Sequence, residues 1–233
     1  MKIRKPIIFK GIMLALCLVL GMNAWGQTHY KPRVSIGGKA GVSMGRLELS
    51  PSVPQSYLMG TTGAVTFRFA EEKLFGLVAE LGWTQRGWKE DFEESPLQYS
   101  RTLTYINMPI MTQIIFGSRR FKCFINLGPE VGYMISNSIS ANFDYTDLSS
   151  VHDWPERRRM TEQLNMEVKN KFDYGITAGI GFEFYVKPKH SITLEGRYYY
   201  GLGNVFPSTK ADTFSASRNS AIEVTMGYYF RLR

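Results

Sequence analysis

Apolar and polar residues alternate with a period of two over long stretches of this chain, most plainly in its C-terminal third, residues 172–233. Phe172, Tyr174, Ile176, Ala178, Ile180, Phe182, Phe184 and Val186 take every second place, with Asp173, Gly175, Thr177, Gly179, Gly181, Glu183 and Tyr185 between them. A period of two is that of a strand, whose successive side chains point to opposite faces. After the short Lys187-Pro188-Lys189 turn, Ile192, Leu194, Gly196, Tyr198, Tyr200 and Leu202 oppose Thr193, Glu195, Arg197 and Tyr199. The last run sets Ile222, Val224, Met226, Tyr228, Phe230 and Leu232 against Glu223, Thr225, Gly227, Tyr229 and Arg231. Strands in soluble sheets run to about five or six residues, and these are far longer. Long strands that are apolar on one face and carry glycine and charge on the other predict a transmembrane barrel.

Five earlier strands follow from the same pattern. Residues 34–47 place Val34, Ile36, Ala40, Val42 and Met44 outward and Ser35, Gly37, Lys39, Gly41 and Ser43 inward; residues 59–70 alternate Val65, Phe67 and Phe69 with Ala64, Thr66 and Arg68. The third strand turns Phe75, Leu77, Ala79, Leu81 and Trp83 out and Val78, Glu80, Thr84 and Arg86 in. Residues 99–116 form the fourth, and the fifth carries Phe121, Cys123, Ile125, Leu127, Val131, Tyr133 and Ile135 outward against Asn126, Gly128, Glu130 and Gly132. Pro109 and Pro129 lie inside these two strands, where a missing N–H predicts a bulge or an edge. The fold class is therefore all-β: an eight-stranded antiparallel up-and-down barrel. Linkers after strands two, four and six are short and the others long, which predicts short periplasmic turns, external loops and both termini in the periplasm. Trp83, Trp88, Tyr133, Tyr200 and Phe206 are expected in an outer aromatic girdle, and Phe69, Phe75, Phe116, Phe121, Phe184 and Phe230 in an inner one.

The N-terminus agrees with that setting. Lys2, Arg4, Lys5 and Lys10 precede an apolar stretch, residues 11–22, and Asn23-Ala24-Trp25-Gly26 offers small residues for cleavage, so residues 1–26 read as a secretory signal peptide and 27–233 as the barrel domain. Four of the 28 basic residues lie in the signal, so the mature chain carries 24 against 20 acidic residues and a net +4 rather than +8. That removes most of the motive for nucleic-acid binding. Cys123 remains as the single cysteine, which excludes an internal disulfide.

Inward positions collect charge: Lys39, Arg68, Arg86 and Arg197 with Glu80, Glu130, Glu183, Glu195 and Glu223. An eight-stranded barrel is just wide enough for its own side chains, and a buried unpaired charge costs several kcal/mol. The charges are accordingly expected to pair as a packed plug, with Arg197 nearest to Glu183, Glu195 and Glu223; a selective pore is the alternative. Residues 138–170 are the longest stretch without alternation. There, Trp154 with Arg157, Arg158 and Arg159 is the candidate external partner loop, since arginine forks suit lipopolysaccharide phosphates or an acidic protein; a solvated loop has the same composition.

Chemistry is sparse. His29, His152 and His190 are scattered, so neither a metal, a cofactor nor a catalytic triad is implied and no enzyme is expected. His152 beside Asp153 and Ser150 is the external material for the alternative, a lipid- or peptide-acting hydrolase.

Several segments carry a family likeness. Tyr105-Ile106-Asn107-Met108-Pro109-Ile110, Asn126-Leu127-Gly128-Pro129-Glu130-Val131-Gly132-Tyr133, Glu195-Gly196-Arg197-Tyr198-Tyr199-Tyr200-Gly201-Leu202 and Met226-Gly227-Tyr228-Tyr229-Phe230 resemble, in this order, the strands of PorT-like outer-membrane barrels. The likeness spans the mature chain and implies an outer-membrane barrel. Asn107 stands where that family commonly has an acidic residue. The family's namesake is implicated in type IX protein secretion, so the resemblance implies an envelope interaction protein or secretion accessory, with outer-membrane lipid, lipopolysaccharide and an envelope or secretion-machinery protein as its partners.

Overall fold

The computed structural model describes residues 32–70, 74–92, 95–151, 154, 160–208 and 213–232. The signal-peptide reading of residues 1–26 lies outside them. Among the described residues the long strands are β1 (Arg33–Ser50), β2 (Leu58–Ala70), β3 (Phe75–Glu90), β4 (Tyr99–Gly117), β5 (Phe121–Ala141), β6 (Phe172–Lys187), β7 (His190–Gly201) and β8 (Ala216–Arg231). The two-residue segment Gln55–Ser56 adds a short pairing to the loop end of β3.

Each strand pairs antiparallel with its neighbours in sequence, and the first pairs with the last, from Ser35↔Arg231 to Ser50↔Ala216. With β3 joined to β4 the sheet closes into a ring. Closure leaves no ladder edge for another strand to pair with, the arrangement a sheet needs in a medium without water.

Period-two alternation sorts the side chains as the sequence requires. Val65, Leu81 and Met226 are each more than 60% exposed on the outer face, within an apolar belt that also carries Ile36, Phe67, Ile125, Ile180, Leu194 and Val224. An apolar band of that extent around a closed ring of strands is the outward surface of a membrane barrel. Trp83 and Tyr133 lie on this face, but Trp88 and Phe206 are fully buried inside the barrel and are not part of an outer girdle.

Register differs from expectation at the prolines. Pro109 pairs with Glu130, and the β4–β5 register is the same on both sides of residues 110–111; the one-residue shift lies instead between Thr104 and Tyr105, opposite Ile135. Pro129 pairs with Ile176 in an unbroken β5–β6 register. Proline removes one donor without adding a residue, so the ladder loses hydrogen bonds there but does not slip. The β4–β5 turn depends on Gly117, whose φ of +125° a side chain rarely adopts.

β1, β3, β5 and β8 extend beyond the sequence estimate on the loop side. The stretch 138–170 is correspondingly less irregular than expected, since β5 continues to Ala141 and a short helix, α1 (Glu162–Asn165), follows.

Candidate functional site

The lumen is filled by three layers of ion pairs and a loop-built cap. Nearest the hairpin turns, Arg68 of β2 donates from Nη1 to both oxygens of Glu183 on β6 at 2.9 Å. Ser191 of β7 donates to the same carboxylate at 2.6 Å, and the Arg68 guanidinium lies 4.1 Å from the centre of the Tyr229 ring.

In the middle layer Arg197 of β7 forks onto Glu80 of β3 at 2.8 and 3.0 Å and also holds Glu195 at 2.9 Å. Lys39 of β1 bridges the same two carboxylates, 2.8 Å from Glu80 and 3.1 Å from Glu195. Asn126 donates to Glu195 at 2.7 Å and is itself reached by Gln113 at 2.9 Å. Two cations and two carboxylates thus neutralise one another, each group with more than one partner.

The expectation for Arg197 is corrected here. Of the three carboxylates expected beside it, Glu195 is bonded to it, whereas Glu183 belongs to Arg68 and Glu223 accepts from Thr84 at 2.9 Å. The main partner, Glu80, comes from the opposite wall. Strand tilt slides facing walls past one another, so adjacency along the chain does not decide which groups meet across the lumen.

In the third layer Arg86 of β3 pairs with Glu130 of β5 and lies 3.5 Å from Asp173 and 3.8 Å from Glu223. Its guanidinium is 3.6 Å from the centre of the Tyr199 ring. Asn107 donates to Glu130 at 2.9 Å. Asn219 donates to Asp173 at 2.9 Å and to Tyr105 at 3.0 Å. All nine charged residues singled out on the strands therefore lie in one connected lumen, to which Asp173 must be added. Asp173 sits in register with Glu183 on β6, five inward positions toward the loops, and its alternation already placed it inside.

Above this layer the interior turns apolar. Leu47, Leu49, Trp88, Tyr99 and Leu103 from the strands pack with Val53, Phe92, Leu164, Phe206 and Phe214 from the loops. Trp88 meets Phe206 edge-on at 5.8 Å. Polar ties seat the loops: Tyr99 donates to the Leu164 carbonyl at 2.8 Å, Arg101 to the Met166 carbonyl at 2.6 Å, and Trp88 and Gln163 both donate to Glu90, at 3.0 and 3.3 Å. The pairing of buried backbone and charge inside an apolar cluster is what keeps such a cap from costing more than it gains.

The expected partner loop divides. Trp154 is half-buried and packs edge-on against Phe92 and Phe143 at 5.8 and 5.9 Å, so it is a strut of the cap. Arg157, Arg158 and Arg159 lie outside the described residues, as does His152. Among the described residues no group of three or more His, Cys, Asp or Glu is arranged to hold a metal ion. His190 lies at a hairpin turn, paired with the Tyr228 hydroxyl and far along β7 from the cap.

The chain matches a family model described as an outer membrane protein beta-barrel domain over residues 25–207. Solved structures of outer-membrane proteins are similar to it at low identity. OprG from Pseudomonas aeruginosa is 12% identical with a TM-score of 0.48, over 87% of this chain and 96% of that one. Ail, the attachment invasion locus protein of Yersinia pestis, is 11% identical with a TM-score of 0.40, over 84% and 99%. Neisserial surface protein A is 13% identical with a TM-score of 0.39, over 83% and 95%. No curated relative matches the sequence.

Proposed function

We propose that this chain, which belongs to the outer membrane protein beta-barrel domain family, is a closed, non-enzymatic barrel whose working surface is its folded loop cap. Membership makes it an integral outer-membrane protein. One observation carries the proposal: loops after β1, β3, β5 and β7 contribute Val53, Phe92, Leu164, Phe206 and Phe214 to a single buried cluster. A surface tied down in this way presents its outer residues with little ordering left to pay on binding, as an interaction protein requires. An open channel has no use for it.

The long loops then face the cell exterior and the hairpin turns and termini the periplasm. Outer-membrane lipid and lipopolysaccharide surround the rim, and an envelope protein meets the cap; the segment with Arg157, Arg158 and Arg159 suits an acidic group on either. A part in type IX export is the narrower form of this proposal and rests on the resemblance to PorT-like barrels.

A photo-crosslinking residue at position 149 or 165, both on the cap's outer side, tests it in intact cells. Specific protein adducts from the cap, absent when the crosslinker is placed at the Pro188 turn, are the expected result. Steady ion-selective current through the purified protein in a planar bilayer would replace the proposal with the narrow pore, and release of acyl chains or peptides from envelope extracts would replace it with the hydrolase.

A further inference from the structure

The loop that leads into β6 meets the loop after β7 across a groove of about 670 Å³. Lys169 and Lys171 line it together with Tyr133, Phe172 and Tyr174, and none of its lining residues is acidic. The three aromatic side chains belong to the outward face, 53%, 58% and 47% exposed. Tyr133 and Phe172 are register partners at the loop end of β5 and β6, and Phe172 stacks on Tyr174 with ring centres 6.2 Å apart. Cationic and lipid-facing aromatic surfaces therefore share one concavity at the upper border of the apolar belt.

The groove is built rather than left over. Asn170 donates to the Asn204 carbonyl at 2.7 Å and so ties one loop to the other. The amides of Leu202 and Gly203 both donate to the Tyr174 carbonyl, at 2.8 and 3.3 Å. A Cβ on Gly203 would stand 3.2 Å from the Tyr174 ring, so glycine lets the loop lie against that aromatic.

We infer that this groove holds a phosphorylated, multiply acylated glycolipid of the outer leaflet, of the lipid A kind. A soluble anion would use the lysines and leave the aromatics idle, and a neutral lipid would do the reverse. A ligand with phosphate above acyl chains uses both. The lysine ammonium groups meet the phosphate in charge-assisted hydrogen bonds, and the rings receive the acyl chains beside it. This rests on the external orientation of the loops proposed above.

The test uses the full-length mature protein in nanodiscs of zwitterionic phospholipid doped with lipid A, with bound lipid counted by native mass spectrometry. Wild type is expected to retain lipid A, and Lys169→Gln/Lys171→Gln to bind it about tenfold or more weakly, the loss of roughly one charge-assisted contact. Lys187→Gln/Lys189→Gln, at the opposite end, is expected to bind as wild type. Equal retention of dephosphorylated lipid A, equal retention of phosphatidylglycerol, competition by millimolar inorganic phosphate alone, or wild-type binding by the Lys169/Lys171 variant would each overturn the inference. Ser149→Cys, on the loop after β5 and away from the groove, in a Cys123→Ser background and probed on intact cells with a membrane-impermeant maleimide, separates the two proposals. Labelling without lipid binding overturns only the groove, whereas failure to label overturns the orientation and the proposed function with it.

Discussion

Arg197 on β7 spans the whole barrel to reach Glu80 on β3, its two terminal nitrogens 2.8 and 3.0 Å from the carboxylate oxygens. In the ring order these strands lie diametrically opposite, and so do β2 and β6, which carry Arg68 and Glu183. The two pairs are cross-struts at different heights. Each exists only when the ring is closed, because its partners are brought together by no local ladder.

Arg197→Met is expected to leave Glu80 and Glu195 with Lys39 as their shared cation and to destabilise the barrel by about 3–5 kcal/mol, the cost of breaking a buried pair. Urea unfolding in detergent micelles, followed by tryptophan fluorescence, measures it. Glu80→Gln in the Arg197→Met background should restore part of the loss, since it removes one orphaned charge. An unfolding midpoint unchanged from wild type would mean that the middle layer is solvated as a surface pair is. Bilayer conductance is expected to stay at baseline in wild type and in both variants.

Phe206→Ala removes a fully buried ring that Trp88 meets edge-on. A loss of about 3–5 kcal/mol is the usual scale for such a truncation, and here it should fall on the cap rather than the ring. Limited proteolysis is therefore expected to cut the loops after β5 and β7 faster than in wild type. On a gel run without heating the barrel core should still migrate as a folded band, and its loss would show that cap and barrel unfold as one unit.

Trypsin added to intact cells is expected to cut within residues 138–170 and to spare the turns at Ser118 and Pro188. Loop length assigns these to opposite sides of the membrane. Cleavage at the turns with the long loop intact would invert the topology.

Closure of β1 on β8 predicts a mobility shift: the unheated protein in dodecyl sulfate should run apart from the boiled one. A ladder without a free edge cannot be peeled strand by strand, so detergent alone does not unfold it. Shortening β8 by removing residues 226–233 should abolish the shift, because Met226, Phe230 and Arg231 are register partners of Ala40, Ile36 and Ser35.

The ring was legible in the sequence because its signal is a period. From Phe172 to Val186 every side chain's face follows from parity, and so do the inward positions of Glu183, Glu195 and Arg197. Which inward groups meet was not legible: tilt and stagger bring Glu80 rather than Glu183 to Arg197, and neither leaves a mark in one strand's sequence. The buried Trp88 shows the other kind of miss. It has the inward parity of Thr84 and Arg86, so its side was readable, but its position near a strand end suggested an aromatic girdle. Phe206 and Leu164 had no such cue, since a loop has no period and burial there depends on where the chain folds back. The prolines misled for a simpler reason, because a missing donor thins a ladder while only an added residue shifts it.

The loop cap described above also bears on how this protein changes over generations. External loops of membrane barrels are ordinarily free to drift, since nothing packs behind them. Here Val53, Leu164, Phe206 and Phe214 are core residues that happen to lie in loops, and a lineage that altered them would loosen the whole cap. Exposed neighbours such as Ser149 and Asn165 carry no such burden. Surface variation is thereby confined to scattered outward positions on a fixed frame, and insertions should accumulate between the anchors rather than across them.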